Sequence, residues 1–423
     1  MAAAGRKGGS GWAVRFHVSI PHYLLARSAG RFSEWFRFGP PSAVRFESLS
    51  ALRLPGSEWT RLKVRAAGIC GTDIANLSFS ASPAMEPFGS FPAVPGHEIL
   101  AEVVEVGDRV SGVEVGQLVA VDPFLSCSVR GHADACPSCE EGRPGTCEMA
   151  GEDGTVEVDG RPLGPGITVG YHRDLPGGWG EEILAHNAQL HPVPDGLPSR
   201  VGVLTEPLAI GVHAVLGAPP APEEEVLVIG SGPIALGTIW ALRALGFPGT
   251  IVSQTKRSHE AKLARKLGAT EVVSPGLEAR QALVETGAMA YQPIVGPEVY
   301  SGGGFPLIFD CVGNRGSLDQ ALRFAAPRGR LVVLGCAGEI PKLDLTFLWA
   351  RELTVRGFVG YGEEEWRGER LHTFRIVHRL LEEAPAPVHE LVTHIFPLDE
   401  YRSGLSAAAN HRRSGAVKVV LEP

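Results

Sequence analysis

The stretch EVLVIGSGPIALG, residues 225–237, decides the reading of this chain. Its VLVI run is continuously apolar and rich in β-branched side chains, the pattern of a parallel strand buried on both faces. GSGPIA (230–235) follows, where that strand meets a helix-like PIALGTIWALRALG. The first glycine allows a tight turn, and the second lets the backbone approach a pyrophosphate closely. The helix start offers free N–H groups and the positive end of its dipole. Ala235 holds the third position of the G-x-G-x-x-G pattern and is small enough for close helix–strand packing. A lone glycine pattern is weak evidence, but here a strand precedes it and a helix follows. TIVSQ (250–254) then gives a second strand and SHEAKLARKLGA (258–269) a helix. PLIFDCVG (306–313) and RLVVLGCAG (330–338) give further buried strands. The alternation predicts a doubly wound parallel sheet binding a dinucleotide. Gly230, Ser231, Gly232, Pro233 and Ile234 form its phosphate end, with Val312 and Gly335 in the same cofactor site.

The end of the second strand bears on which dinucleotide is bound. An acid there would hold a ribose 2′-hydroxyl; this chain has Gln254, then Thr255, Lys256 and Arg257. No carboxylate repels a 2′-phosphate, and two cations are at hand, so the expectation leans to NADP over NAD. The plainer alternative makes Lys256 and Arg257 solvated loop charges, with both cofactors accepted.

Working outward, the 423 residues are 44% hydrophobic and 20% charged, enough for two domains with their own cores. A formal net charge of −8 gives no electrostatic reason to bind nucleic acid or an anionic membrane, and neither is expected as a partner. No uninterrupted apolar run is long enough to span a bilayer. Seven cysteines, an odd count clustered at short spacings, suggest metal binding rather than a secreted disulfide framework. Residues 1 to 33 carry Arg6, Lys7, Arg15, Arg27 and Arg31 with no acid before Glu34, a balance shared with organellar presequences. A disordered tail followed by a first strand, AVRFHVSI, is the simpler reading, and the expected location is the cytoplasm. From Trp12 to Thr205, short apolar runs between Gly/Pro breaks predict a β-rich domain. The expected boundaries are a tail at 1–11, a catalytic domain at 12–212, a dinucleotide domain at 213–365, and a return to the first domain at 366–423.

Two motifs in the β-rich part suit a catalytic metal. AGICGTD (67–73) and PGHE (95–98) set Cys70 and His97 beside glycines, and Glu98 or Glu206 could add a carboxylate. Such a set leaves an open position on zinc, where an alcohol could be acidified before hydride passes to a nicotinamide. Asp73 could fix the tautomer of His97, and Thr72 could relay the alcohol's proton. Taken singly, each has a plainer role: a small buried thiol, a satisfied histidine, a carboxylate at a helix start. CPSCEEGRPGTC (136–147) adds three thiols at C-x2-C-x7-C spacing, one short of a closed tetrahedral site.

Together AGICGTD, PGHE, VGDRV, VGQLVAVDP, the cysteine loop, TEPLA, GSGPIA and FDCVG resemble the zinc-dependent medium-chain alcohol dehydrogenases across nearly the whole chain. That resemblance implies a GroES-like catalytic domain, a Rossmann domain inserted before the C-terminal strands return, and an NAD(P)-linked alcohol dehydrogenase. Cys70, His97 and Thr72 match the catalytic ligands and relay hydroxyl, and Glu98 a glutamate that in some members exchanges onto the metal. Glu206, where many members carry a cysteine, resembles the polyol and threonine dehydrogenase branch. The relay histidine of many members is Ala75 here. The structural zinc of the family matches Cys136, Cys139 and Cys147. Its first cysteine falls on Ala133, so the fourth ligand is expected to be Cys127, with His132 as the alternative. A small-molecule alcohol or carbonyl substrate and a homodimer or homotetramer complete the expectation. A zinc-free enone or quinone reductase and a non-catalytic NADP-binding relative are the competing readings.

Overall fold

The computed structural model describes residues 10–423 apart from 52, 337 and 385, and gives no account of the side chains at 10, 86 and 87. The chain packs as two units. One runs to Glu206 and resumes over Val392–Pro423; the other is Pro207–Leu391.

The first unit opens with β1 (Ser10–Phe16), joined to β2 (Val44–Ser50) in an antiparallel pair. Between them stand two helices, α1 (Ile20–Arg27) and the single turn α2 (Trp35–Phe38). The long strand β3 (Trp59–Ile69) organises the main sheet. Leu62 and Val64 are buried while Lys63 and Arg65 point outward, the period of two that fixes register. It pairs antiparallel with β4 (Ile99–Val106) and, further along, with β6 (Glu182–His186). A short α3 (Gly71–Leu77) follows β3, and β5 (Leu118–Val121) and β7 (Leu190–Pro192) extend the sheet beyond β4. Trp59 and Trp179, almost without exposure, fill the core beneath, each removing roughly 150–250 Å² from water.

The second unit begins with the almost wholly apolar α4 (Thr205–Gly217), whose first two residues belong to the first unit. Its sheet is built from β8 (Val226–Ile229), β9 (Ile251–Gln254), β10 (Glu271–Val273), β11 (Phe305–Asp310), β12 (Ala325–Val333) and β13 (Thr354–Gly357). The order is β10–β9–β8–β11–β12–β13 with every pair parallel. Helices α5 (Pro233–Ala244), α6 (Ser258–Lys266) and α7 (Arg315–Phe324) supply crossovers. This is the doubly wound sheet expected from the sequence, and all four residues of β8 are buried, as their composition requires. An antiparallel hairpin, β14 (Glu363–Trp366) and β15 (Glu369–His372), and α8 (Thr373–Glu383) close the unit. The chain then returns with β16 (Val392–Pro397), α9 (Tyr401–Ala409) and β17 (Lys418–Glu422). Strand β17 pairs with β3, giving the order β16–β17–β3–β4–β5–β7.

Three details differ from the sequence reading. Strand β1 starts inside the expected tail, and the rest of that tail, residues 1–9, lies outside the described residues. The expected strand AVRFHVSI stops at Phe16 because Ser19 caps a helix: its side chain accepts a hydrogen bond from the His22 amide, and Pro21 sits in the first turn. The units divide at 206/207 and 391/392 rather than at 212/213 and 365/366. The buried His213 on α4 is hydrogen-bonded to the buried Glu364 on β14, which ties the hairpin and its helix to the dinucleotide unit.

Candidate active site

Strand β3 delivers Cys70 to the N-terminus of α3, where it is the capping residue in extended conformation. The Cys70 amide donates to Asp73 Oδ2 at 2.8 Å, and the thiol lies 3.7 Å from Thr72 Oγ1. The turn before β4 brings in His97 and Glu98. Ligand atoms of Cys70, His97 and Glu98 lie within 4.8 Å of one another. The fully buried Asp73 accepts a 2.6 Å hydrogen bond from the Tyr171 hydroxyl and stands 3.5 Å from His97 Nδ1, with the Tyr171 oxygen 3.3 Å from the same nitrogen. With Nδ1 engaged, Nε2 is the nitrogen left for a metal. Burial opposes charging of His97, but Asp73, and after it Cys70, outweigh that cost and hold its pKa well above the ordinary value. A thiolate, an imidazole and a carboxylate form a borderline donor set suited to zinc.

Behind this cluster lies a buried ion pair absent from the sequence reading. Lys418 Nζ donates to Glu98 Oε1 at 2.5 Å and to Oε2 at 2.6 Å, and both side chains are almost wholly inaccessible. Burial opposes the ammonium charge, yet Glu98, then Cys70 and Glu206, raise the Lys418 pKa. Gly68, on β3, makes room for Glu98: a Cβ there would stand 1.7 Å from Glu98 Oε2. Glu206, in the first turn of α4, is buried but falls outside the 4.8 Å cluster among the described residues. Lys418 had one sequence signal, a single cation inside the apolar strand AVKVVL. Tyr171, in a loop, had none. Replacing Tyr171 by phenylalanine is expected to weaken metal retention about 10–100-fold, read as zinc remaining after dialysis against a graded chelator series.

The cysteine loop gathers four thiols. Cys127, Cys136, Cys139 and Cys147 all lie within 4.8 Å, with Cys127–Cys147 at 3.7 Å and Cys136–Cys147 at 3.9 Å. Four sulfurs about 2.3 Å from a central zinc would be about 3.8 Å apart. His132 is not in this set. Hydrogen bonding from Cys139 pulls the Cys147 thiol down to about 5, whereas burial pushes Cys127 up to about 11. The fully buried Arg130 donates to the carbonyls of Met149, Ala150, Glu152 and Gly164 and so braces the lobe.

In the second unit, Gly230 leaves β8 at φ +126°, a conformation that favours glycine, and Gly232 caps α5. Ser231, Pro233 and Ile234 follow the same turn into the helix, and the buried Ala235 packs in its first turn. Val312 and Gly335 lie beyond the carboxyl ends of β11 and β12, the edge where such sheets bind ligands. The 2′-phosphate end differs from expectation in two respects. The amide of Gln254 pairs with that of Gln320, and Arg257 is held by the buried Glu260, leaving Lys256 as the exposed cation of the group.

Two separated metal-type clusters in a β-rich unit, followed by a dinucleotide-type sheet, define a metal-dependent oxidoreductase class. Residues 56–195 match the alcohol dehydrogenase GroES-like domain family, and residues 233–373 match the zinc-binding dehydrogenase family. L-galactonate-5-dehydrogenase of Escherichia coli K12 is 29% identical over 81% of this chain and 86% of its own. L-threonine 3-dehydrogenase of Bacillus licheniformis is 28% identical over 86% and 90%. A protein of Sinorhizobium meliloti 1021 assigned as a zinc-binding dehydrogenase, solved with NADP, is 25% identical, with a TM-score of 0.70 over 98% of this chain and 100% of its own. The chain belongs to the zinc-type medium-chain alcohol dehydrogenase family. It is an NAD(P)-linked alcohol oxidoreductase with a GroES-like and a Rossmann-type domain. Among the described residues no helix is long and apolar enough to cross a membrane.

Proposed function

We propose that the chain oxidises a hydroxyl of a polar alcohol, a polyol or an amino-alcohol, using NADP in preference to NAD. The observation that carries this reading is the convergence of Cys70, His97 and Glu98 within 4.8 Å, with Asp73 and Tyr171 fixing the imidazole. Zinc held there would lower the pKa of an alcohol hydroxyl, and the nicotinamide ring would take up hydride. Cys70 and His97 are the ligands, and proximity makes Glu98 the carboxylate, with Glu206 as the second candidate. Zinc content of Glu98→Gln beside Glu206→Gln separates them. Thr72 is placed to pass on the alcohol's proton; Ala75 offers no side-chain acid or base, so the proton leaves through water or another group. Cys127, Cys136, Cys139 and Cys147 form the structural site.

The polar-substrate side is supported by Glu206 in TEPLA, and by relatives that act on L-galactonate and L-threonine. Gly230 to Ile234, Gln254, Lys256, Arg257, Val312 and Gly335 frame the dinucleotide. Of the two cations read from the sequence, Lys256 carries the preference for a 2′-phosphate, because Arg257 is already paired. Lys256→Ala is therefore expected to raise KM for NADP about tenfold, the equivalent of roughly 1.4 kcal/mol, with KM for NAD unchanged; steady-state kinetics with both cofactors checks it. The exposed strand β13 at the sheet edge supports assembly as a homodimer or homotetramer, and the cytoplasm is the proposed location.

The whole reading is tested by metal analysis beside a cofactor-reduction screen over polyols, amino-alcohols and simple alcohols. About two zinc ions per chain with NADP reduction on polar alcohols is expected. A protein without zinc that reduces enones would overturn it.

A further inference from the structure

The segment between β1 and β2 turns large apolar side chains toward solvent. On α1, Ile20, Tyr23 and Leu24 fall at helical spacing on one face and are 77%, 46% and 58% exposed; Ala26 is the helix's buried residue. Beyond it, Phe32 is 92% and Trp35 54% exposed. The segment is not loosely attached. Glu34 accepts hydrogen bonds from Ser406 and Asn410 on and after α9, Arg402 donates to the Phe38 carbonyl, and the Tyr23 ring meets Phe79 edge-on at 5.7 Å. A fixed support thus presents an apolar surface that a soluble monomer would ordinarily bury.

The exposed charges of the segment itself are of one sign. From Val18 to Ala43 the ionised side chains are Arg27, Arg31, Arg37 and Glu34, and Glu34 is turned inward to α9. Arg27 and Arg31 are exposed, Arg27 one turn beyond Leu24. A chain of net charge −8 therefore carries a cationic, apolar, aromatic projection. A symmetric contact with a second copy would set this cationic patch against an identical cationic patch. An anionic lipid surface instead accepts protruding Ile, Leu and Phe side chains, seats Trp and Tyr at headgroup level, and attracts the arginines. We propose that this projection docks the enzyme peripherally on an anionic membrane surface.

Sedimentation of the full-length protein with phosphatidylcholine vesicles, alone or with about one-third phosphatidylglycerol, tests this. Binding is expected with the anionic vesicles alone, and is expected to be lost near 0.5 M salt, where screening is about 5 Å or shorter. Arg27→Glu with Arg31→Glu, both at exposed positions, should cut the bound fraction about tenfold or more, as should Ile20→Asp with Leu24→Asp. Zinc content and NADP binding, measured on each variant, report that the fold is retained. Failure of the wild-type protein to bind anionic vesicles, or equal binding to both kinds, would overturn the proposal. So would variants that dissociate an oligomer while leaving vesicle binding intact.

Discussion

Replacement of Lys418 by methionine is expected to lower folding stability by about 3–5 kcal/mol, the cost of leaving a buried charge without its partner. In the zinc-free protein Glu98 would keep its carboxylate in a site with almost no exposure, with both oxygens stripped of their donor and no metal to pair with. The double variant Lys418→Met with Glu98→Gln should recover part of that loss, because the unpaired charge is gone. Urea unfolding of the three proteins, each stripped of zinc beforehand, measures both effects. The alternative is that Lys418 matters for packing alone. The double variant would then be no more stable than the single one.

Cys70→Ala is expected to remove one equivalent of zinc and to slow hydride transfer by about three orders of magnitude, the several kcal/mol that a Lewis acid contributes to such a step. Loss of one of three protein ligands should leave the cluster unable to retain its ion. The second unit is a separate packing body, so NADP binding should survive. Cys136→Ser should act differently, lowering stability of the lobe around residues 127–147 before it affects the rate constant. Zinc analysis, cofactor fluorescence titration and single-turnover rates separate the two. Normal turnover by Cys70→Ala would remove the thiolate from the chemistry.

Much of this was legible because it rests on local rules. The four buried residues of β8, the glycine turn after them and the proline-started α5 follow from neighbours in sequence. The AGICGTD and PGHE motifs were legible for the same reason, since each sets its ligand within a turn of its own glycines. What sequence did not disclose are pairings between remote segments. Lys418 meets Glu98 across 320 residues, and Tyr171 meets Asp73 across 98. Arg257 looked available until the fold turned Glu260 toward it. His213 meets Glu364 across 151 residues by the same kind of contact. The expected strand AVRFHVSI was read past Phe16 because its apolar pattern continues there, and the serine cap that redirects the chain is a single hydroxyl.

Arg130 gives the cysteine lobe a property that thiols alone would not. Its guanidinium spans four carbonyls, and its own carbonyl receives the amides of Thr155 and Val156, so the loop is stitched from within by groups that need no ion. Such stitching predicts a lobe that takes shape ahead of zinc and receives it as a guest in a finished cage. Stripping the ion should then leave a receptacle able to reload, rather than a collapsed strand of chain awaiting refolding.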